Sequence, residues 1–581
     1  MPQESTINGL DISRLPSPYK RRFIPEQADF NDPEQVKGLY AALLARPLAT
    51  AADMEAFLLH RSELEAAIRQ HRSVLYVQMT CQTDDAGRAA AYRRFIEEIG
   101  PLTDDLTHRL NAAYLAARDR VGAGPAHYAV YERNLRADVA LFRAENIPLQ
   151  TEEALLSQDY QTLTGGLTVT FEGQEITLSK LNTYLYETDR TRRQNAWRTG
   201  TDCYFAVRDK LDDIFDAMLD VRGRIARNAG FANYRDYKFR EYHRFDYTPD
   251  DCKAFHAAVR DVLVPLQRTM WQRRADEMKL HPLRPWDLMA DPRGLSPLKP
   301  FEQPARFVAA IRSVFERLDA ELGRQFAEMF DLGLLDLLSR KGKAPGGYQC
   351  TLDEARKPFI FMNAAGSDDD VRVLLHESGH AFHALACADE PLADYRHAPM
   401  EFCEVASMSM ELLASPQLEV IYTADELRRR RRHVAEMTVR LLLSVAANDA
   451  FQHWLYETPG HTRQQRCDQW IELQNAYGQD VLDWTGLETQ RGFMWQRILH
   501  FYQVPFYYIE YGIAQLGALG VWRRATVDFA TALRDYKTAL ALGGSRPLPE
   551  LFAAAGLTFE FSHATVRQAA ELLRNEWEAA L

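Results

Sequence analysis

Apolar residues recur at helical spacing along most of this chain, and this pattern predicts a mainly α-helical protein. Long periodic stretches cover residues 54–79 and 89–99, and helical patterns resume at residue 179 and continue nearly to the end. Residues 167–178 instead alternate apolar and polar positions around a Glu-Gly pair, which predicts one β-hairpin. Residues 281–304 carry six prolines among apolar residues, which predicts a long irregular connection.

A small sheet and a long helix are predicted next to one another in the middle of the chain. Residues 357–363 form a short apolar run that begins at a Lys-Pro pair and closes on an asparagine, a pattern typical of a buried strand. Residues 346–351 are the candidate partner strand. Ser367 is the expected N-cap of the following helix, with three aspartates in its first turn and apolar positions at helical spacing after them.

That helix carries the most informative motif in the chain. Residues 376–383 read His-Glu-Ser-Gly-His-Ala-Phe-His. On a helix, His376 and His380 share one face and lie about 6 Å apart along the axis, within reach of one metal ion. Glu377 lies beside that face, where its carboxylate can act as a general base toward water. The spacing therefore predicts a catalytic zinc site.

A catalytic zinc ion usually has three protein ligands, so a third donor must come from elsewhere. His383 lies on the same face as His376 but too far along the axis to complete a tight site, and an outer or packing role is expected for it. The other candidates are glutamates on a later helix predicted over residues 399–414.

Three glutamates of that helix compete for the third position. Glu404 and Glu411 lie seven residues apart on one face, and the small residues Ala406 and Ser407 would let the helix approach its neighbour closely. A buried glutamate on such a face needs a partner, and a zinc ion is a suitable one. We therefore predict Glu404 as the ligand, Glu411 as the acceptor that orients a ligand histidine, and Glu401 as a solvated first-turn acid.

These residues resemble the zinc peptidases of the thimet oligopeptidase and oligoendopeptidase F family. That family carries a glycine before the second ligand histidine, another histidine three positions later, and a ligand glutamate further on, which correspond to Gly379, His383 and Glu404 here. Residues 340–348 and 358–363 are also similar to family segments. The resemblance reaches back, with decreasing clarity, to about residue 165.

A third block of resemblance covers residues 500–511, which begin with a histidine and include three tyrosines. In this family and in the related angiotensin-converting enzyme group, a histidine followed by a Tyr-x-x-Tyr pair faces the zinc ion. The spacing maps the pair onto Tyr508 and Tyr511, although Tyr507 leaves this register open by one position. A neutral phenol O–H suits a developing oxyanion.

The resemblance implies a fold, an activity and a set of site residues. The fold would be a two-lobed helical ellipsoid with a deep substrate channel and a small β-sheet beside the active-site helix. The activity would be hydrolysis of internal bonds of short peptides, with one Zn²⁺ ion per chain. The implied catalytic residues are Glu377, Tyr511, His500 and Tyr508. The implied metal ligands are His376, His380 and Glu404.

The composition limits which classes of binding partner and which cellular location we expect for the protein. The formal charge of −12 gives no global basic field, which argues against nucleic acid as a partner. Residues 428–432 are five arginines, but they follow a capping box at Thr423 and Glu426 and are expected on a solvated helix. Neither a membrane span nor a signal peptide is expected from the apolar pattern. The seven cysteines are scattered and odd in number, which fits reduced thiols in a cytoplasm.

For the organisation of the chain, we predict an N-terminal helical region over residues 1–165 and a catalytic region over residues 166–581. Two alternatives to the oligoendopeptidase function stay open. One is a carboxydipeptidase-like zinc peptidase, and the other is a catalytically inactive peptide-binding relative, although nothing in binding alone needs Glu377. A structural zinc protein is disfavoured because such sites usually have four protein ligands, and no such set has suitable spacing here.

Overall fold

The computed structural model describes residue 15 and residues 19–122, 125–344 and 346–581, except for the side chains of residues 304 and 305. The start of the predicted N-terminal region, at residues 1–14 and 16–18, lies outside the described residues, as does position 345 of the family-like segment. Most of the described residues are helical and two small sheets accompany them, so the predicted mainly α fold is confirmed.

The chain divides into two compact units. Unit 1 comprises the described residues of Met1–Ala140, together with Lys299–Leu427 and Gly517–Phe559. Unit 2 comprises Leu141–Leu298, Arg428–Leu516 and Glu560–Leu581. The deep channel and the region boundary near residue 165 stay predictions. Among the described helices, none combines the length and the hydropathy needed to span a lipid bilayer.

The elements follow one another in chain order. The first helices are α1 (Pro33–Leu44), α2 (Ala51–Cys81), α3 (Ala86–Arg94), α4 (Gly100–Val121), α5 (Ala129–Leu141), α6 (Ile147–Gly165), α7 (Leu178–Thr183), α8 (Arg190–Ala206), α9 (Arg208–Asn228), α10 (Tyr234–Glu241), α11 (Pro249–Met278), α12 (Pro304–Leu318) and α13 (Ala320–Asp331). The later helices are α14 (Asp368–Ala386), α15 (Met400–Leu413), α16 (Ala424–Glu457), α17 (Arg463–Ala476), α18 (Glu488–Gly492), α19 (Leu499–Gln503), α20 (Tyr508–Ala525), α21 (Phe529–Leu540), α22 (Leu548–Ala554) and α23 (His563–Ala579). The strands are β1 (Thr168–Phe171), β2 (Gln174–Thr177), β3 (Leu335–Leu338), β4 (Tyr348–Leu352) and β5 (Lys357–Ala364).

These bounds confirm the predicted elements. The predicted hairpin is β1 and β2, which pair antiparallel across the Glu-Gly turn. Residues 54–79 lie within α2, whereas residues 89–99 are divided between α3 and a π-helical turn at Phe95–Ile99. The proline-rich connection continues to α12, which begins at Pro304, a residue type suited to the first helical turn.

The three-stranded sheet of unit 1 has β5 at its centre. β3 pairs with it in parallel, and β4 pairs with it antiparallel in a register that places Tyr348 opposite Phe361. The central residues of β5 are buried, including Phe359, Ile360 and Phe361. Helix α14 packs against both β4 and β5, so this sheet supports the helix that carries the His-Glu motif.

Helix α14 begins where the sequence predicts. The Ser367 hydroxyl accepts from the Asp370 amide at 3.3 Å, and the Asp370 carboxylate accepts from the Ser367 amide at 2.7 Å, forming a reciprocal capping box. One face of the helix enters the core, where the Phe382 ring meets the Phe315 ring edge-on at 5.0 Å. The imidazoles of the motif lie on another face of α14.

Unit 2 has an aromatic core around α6, α9 and α19. The ring of Phe215 on α9 packs edge-on against the rings of Trp495 and Tyr502, and the ring of Tyr160 on α6 stacks on Tyr502 at 4.0 Å. Arg222 lies inside this core and pairs with Glu153 at 2.6 Å. The guanidinium also donates to the backbone oxygens of α19, which fixes the segment that begins the third block.

The arginine run at residues 428–432 corrects one prediction. The capping box of Thr423 and Glu426 is present, but Arg430 and Arg432 are buried rather than solvated. Arg432 pairs with Glu436 at 2.9 Å and with a glutamate of α11 at 2.8 Å. These carboxylates compensate for the burial of the charge. The glutamate of α11 is far away along the chain, which is why the run alone indicates a solvated face.

Candidate active site

The candidate site of unit 1 begins with an unusually close contact between α14 and α15. A Cβ atom added at Gly379 would lie 2.6 Å from the Ser407 Cα atom and 2.8 Å from the Ala406 oxygen. Only a residue without a side chain fits this contact, and the small residues on α15 allow it from the other side. The expected close approach of the two helices is confirmed, and it brings the face of α15 that holds Glu404 to the imidazole face of α14.

Three donor groups converge at this contact. The Nε2 atoms of His376 and His380 lie 3.4 and 3.7 Å from Oε2 of Glu404. The candidate ligand atoms of these three residues all lie within 4.8 Å of one another. Two ligands about 2.0–2.1 Å from a tetrahedral zinc ion are separated by about 3.3 Å, so the separations suit zinc. Two imidazoles and one carboxylate are also a donor set that catalytic zinc uses.

The charges of the three groups favour a cation between them. Burial lowers the pKa of His376, but hydrogen bonds to Glu404 and Glu411 outweigh burial and raise it to about 10. Burial lowers the pKa of His380 to about 4, so its imidazole is neutral at neutral pH. Burial opposes ionisation of Glu404, yet the two histidines hold its pKa at about 2. The carboxylates thus draw a positive charge to the point where a divalent ion would lie.

Two residues of α15 orient these donors. Oε1 of Glu411 lies 2.7 Å from Nδ1 of His376, which is the contact predicted for an acceptor that leaves Nε2 for the metal. The Ser407 hydroxyl donates to Oε2 of Glu404 at 3.0 Å. This role of Ser407 is absent from the sequence interpretation, which assigns the residue only as a small one. Its position three residues after Glu404 is the signal that could have indicated it.

Glu377 is adjacent to the donor set but separate from it. Its side chain is not among the three converging groups, as a general base requires, and the residue is buried on α14. Burial is the main influence on its pKa, which it raises to about 7 against the opposing effect of His376. A carboxylate in this state can both accept and release a proton near neutral pH.

Two further predictions have different outcomes. His383 is buried, its ring lies edge-on to Phe402 at 6.1 Å, and burial lowers its pKa to about 3. It therefore packs in the core, one of the two roles expected for it. Glu401 is only 5% exposed, so its assignment as a solvated acid is wrong. The neighbouring Phe402 packs against Phe552 of α22, which shows that the first turn of α15 is covered by another helix.

The tyrosine block forms a second cluster, within unit 2. Nε2 of His500 lies 3.3 Å from the Tyr511 hydroxyl, and the His500 ring lies edge-on to Tyr508 at 4.7 Å. Tyr507 also contacts Tyr511, with ring centroids 5.2 Å apart. Burial lowers the pKa of His500 to about 4, so its imidazole is neutral at neutral pH. The structure thus brings together the three residues that the resemblance places in the third block.

A buried ion pair between side chains holds this cluster in position, and the sequence interpretation does not identify it. Arg244 pairs with Glu510 on α20 at 2.6 Å and donates to the Phe506 oxygen at 2.6 Å. Phe506 adopts a φ of +65°, which side-chain-bearing residues rarely adopt. Its amide donates to Gln452 at 2.6 Å. The turn that enters α20 is therefore held by contacts from distant parts of the chain.

Comparison with known proteins gives consistent matches. The sequence profile described as peptidase family M3 matches residues 183–571. Oligoendopeptidase F, chromosomal, of Lactococcus lactis subsp. cremoris is 23% identical over 245 residues, which are 41% of this chain and 40% of that protein. The chain thus spans about 40% of the length of the curated relative it matches.

Solved structures extend the likeness over nearly the whole chain. A structure named for oligoendopeptidase F is 28% identical, has a TM-score of 0.86, and covers 96% of this chain and 99% of that chain. PZ peptidase A, solved with an inhibitor, is 25% identical with a TM-score of 0.86 and covers 97% of this chain and 99% of that chain.

Proposed function

The chain belongs to peptidase family M3, and on that premise we propose that it is a zinc-dependent oligoendopeptidase that hydrolyses internal bonds of short peptides. One observation carries the proposal. The contact of Gly379 with α15 leaves the donor atoms of His376, His380 and Glu404 within 4.8 Å of one another, while Glu377 stays beside them as a separate carboxylate. Binding alone has no need of this fourth group.

The three donors would hold one zinc ion, and Glu411 and Ser407 would keep two of the donors in place. When bound, the ion supplies Lewis acidity, which makes water a better nucleophile and a peptide carbonyl a better electrophile. Glu377 accepts a proton from the water as its oxygen attacks the carbonyl carbon. The same carboxyl then delivers the proton to the leaving amine nitrogen as the C–N bond breaks.

The tyrosine cluster supplies the proposed stabilisation of the oxyanion. Tyr511 would donate its phenol O–H to the developing charge, and the neutral His500 and Tyr508 beside it would assist. This assignment rests on the family resemblance of residues 500–511 and on the contacts of these residues with one another within unit 2.

The proposed substrates are short peptides, and neither nucleic acid nor a membrane is a proposed partner. Oligoendopeptidase F and PZ peptidase A, the names carried by similar proteins, support a peptide substrate. A cytoplasmic location is proposed as well, because all seven cysteines lie in the described part of the chain and none of them forms a disulfide bond.

The decisive experiment uses the full-length protein, stripped of metal and then supplied with zinc. Its activity is measured on a short internally quenched peptide, and the products are identified by mass spectrometry. We expect cleavage at internal bonds, loss of activity with a chelator, and recovery with zinc. Glu377→Gln should lower kcat about 10²–10⁴-fold while zinc stays bound.

Glu419→Gln is the matched control, because Glu419 is an exposed glutamate paired with Arg317. Near-normal hydrolysis by Glu377→Gln would contradict the assignment of the base. If the only products were dipeptides released from the C-terminus of the substrate, the activity would be that of a carboxydipeptidase and not of an endopeptidase. Binding of the peptide without cleavage in the zinc-loaded protein would contradict the peptidase function itself.

A further inference from the structure

A second group of possible metal ligands lies in the core of unit 2. Cys252 is on α11, and Asp449 and His453 are four residues apart on α16. One candidate ligand atom from each of the three lies within 4.8 Å of the other two. All three residues are at most 2% exposed. This group shares no residue with the site of unit 1.

Several polar atoms of this group lack the partners that burial normally requires. Among the described residues, neither Oδ1 of Asp449 nor Nδ1 of His453 has a hydrogen-bond partner. Nε2 of His453 lies 3.3 Å from Oδ2 of Asp449, without the alignment of a hydrogen bond. Buried polar groups in native proteins are nearly always satisfied, and exceptions indicate a bound water or ion. A single ion could satisfy both the carboxylate oxygen and the imidazole.

A neighbouring histidine orients the carboxylate. Nε2 of His256, also on α11, lies 2.8 Å from Oδ2 of Asp449. The contact occupies one carboxylate oxygen and leaves Oδ1, which is the unpartnered one, for another interaction. Burial opposes ionisation of Asp449, but His453 and His256 hold its pKa well below its usual range.

We propose that Cys252, Asp449 and His453 bind a divalent metal ion of zinc-like preference, with His256 as the residue that positions Asp449. A thiolate, a carboxylate and a neutral imidazole carry two negative charges, which a divalent ion balances within the core. Thiolate and imidazole donors select zinc over magnesium or calcium. The ion would link α11 to α16 and stabilise unit 2 rather than take part in peptide hydrolysis. This ion would raise the metal content above the one zinc ion per chain that the family resemblance implies.

Cobalt(II) distinguishes the two sites, because thiolate ligation gives a charge-transfer band in the near ultraviolet. The proposed ligands of unit 1 include no cysteine, so this band reports only the site of unit 2. The reduced, metal-stripped full-length protein is titrated with cobalt(II). We expect the band in the wild type and in a variant with both His376→Ala and His380→Ala. We expect its loss in Cys252→Ser and its persistence in Cys467→Ser, which changes another buried cysteine of the same unit.

The other ligands provide independent variants. Asp449→Asn should also abolish the band, whereas His256→Gln should weaken cobalt affinity about 10–100-fold, the usual effect of losing an outer partner of a ligand. Absence of the band in the wild type would overturn the proposal, as would a band that survives Cys252→Ser.

If Cys252→Ser fails to fold, the bound metal of the double histidine variant decides the outcome. One ion per chain supports the site and none overturns it. Because that variant lacks the ligands of unit 1, this result is independent of whether the chain hydrolyses peptides.

Discussion

Gly379 on α14 lies against Ser407 on α15 so closely that a Cβ atom at position 379 would stand 2.6 Å from the Ser407 Cα atom. The nearest atoms are backbone atoms of Ser407 and Ala406 and the Cβ atom of Met410, so the helices would have to separate to accept even one methyl group. The two histidines proposed as ligands flank this glycine on one helix, and the glutamate proposed as a ligand precedes the serine on the other. The distance between the helices therefore sets the distance between the proposed ligands.

Gly379→Ala should weaken both the fold and the metal site. Overpacking at a rigid contact of this kind destabilises a protein by about 1–3 kcal/mol. Zinc affinity should fall in parallel, because Glu404 moves away from the imidazoles. The free energy of unfolding and the zinc dissociation constant measure the two effects. Gly38→Ala is the control, since Gly38 is a helical glycine with open space around it and should gain stability. Unchanged zinc affinity in Gly379→Ala would contradict this view of the site.

Glu411→Gln should weaken zinc binding without abolishing hydrolysis. The contact of 2.7 Å with Nδ1 of His376 fixes the ring and would make it a stronger ligand for the proposed ion. Loss of such a partner usually lowers metal affinity about 10–100-fold. Activity should return at high zinc concentration, which a variant of Glu377 should not show. The measurement is a zinc titration of activity, with Glu419→Gln as the matched control. Full activity at trace zinc would assign Glu411 to a different role.

The proposed ligands could be predicted from the sequence because helical periodicity depends only on residues close together in the chain. The positions of His376, His380 and Glu377 follow from four residues of helix geometry, and the start of α14 follows from the capping pattern at Ser367. The place of Glu404 required one further inference, that small residues allow a close helix contact. The structure contains that contact, and its strict dependence on Gly379 is visible only there.

Features that depend on distant parts of the chain were not identifiable in this way. Glu401 looks like a solvated acid because nothing nearby in the sequence indicates that α22 covers the first turn of α15. The ion pair of Arg244 with Glu510 joins residues 266 positions apart, and each residue alone looks like an ordinary surface charge. The group of Cys252 with Asp449 is likewise formed by two helices far apart in the chain. Tertiary packing decides these positions, and no local pattern encodes it.

Tyr511→Phe should lower kcat about 10²–10³-fold, the usual effect of removing one donor to an oxyanion. KM should change little, because the phenol hydroxyl acts mainly on charge that develops in the transition state. Steady-state kinetics on the quenched peptide measure both constants. Tyr507→Phe is the comparison that settles the register, since Tyr507 also contacts Tyr511. A larger loss of kcat for Tyr507→Phe would assign the oxyanion contact to Tyr507 instead of Tyr511.

His500 should make the protein less stable in mild acid. Its pKa is lowered to about 4 in the folded protein, whereas an unfolded histidine has a pKa near 6.5. As the pH falls through this window, the unfolded chain takes up a proton that the folded chain does not, so the free energy of unfolding decreases. The loss reaches at most about 3 kcal/mol. Urea unfolding at several pH values measures it. His500→Gln should show a smaller decrease over the same range, and an identical decrease would contradict the prediction.

The buried pair of Arg244 and Glu510 should be strongly coupled. Removing one partner, as in Glu510→Leu, takes the carboxylate at 2.6 Å away from the buried Arg244 guanidinium and should lower the free energy of unfolding by about 3–5 kcal/mol. Removing both, as in Arg244→Met with Glu510→Leu, should restore much of this loss, because well-packed apolar residues can replace a buried pair. A double-mutant cycle in urea separates the coupling from the individual effects. The double variant should still have a reduced kcat, since Arg244 also holds the Phe506 oxygen at the turn before Tyr511. Stability and kcat restored together would show that the pair balances charge without positioning the tyrosine cluster.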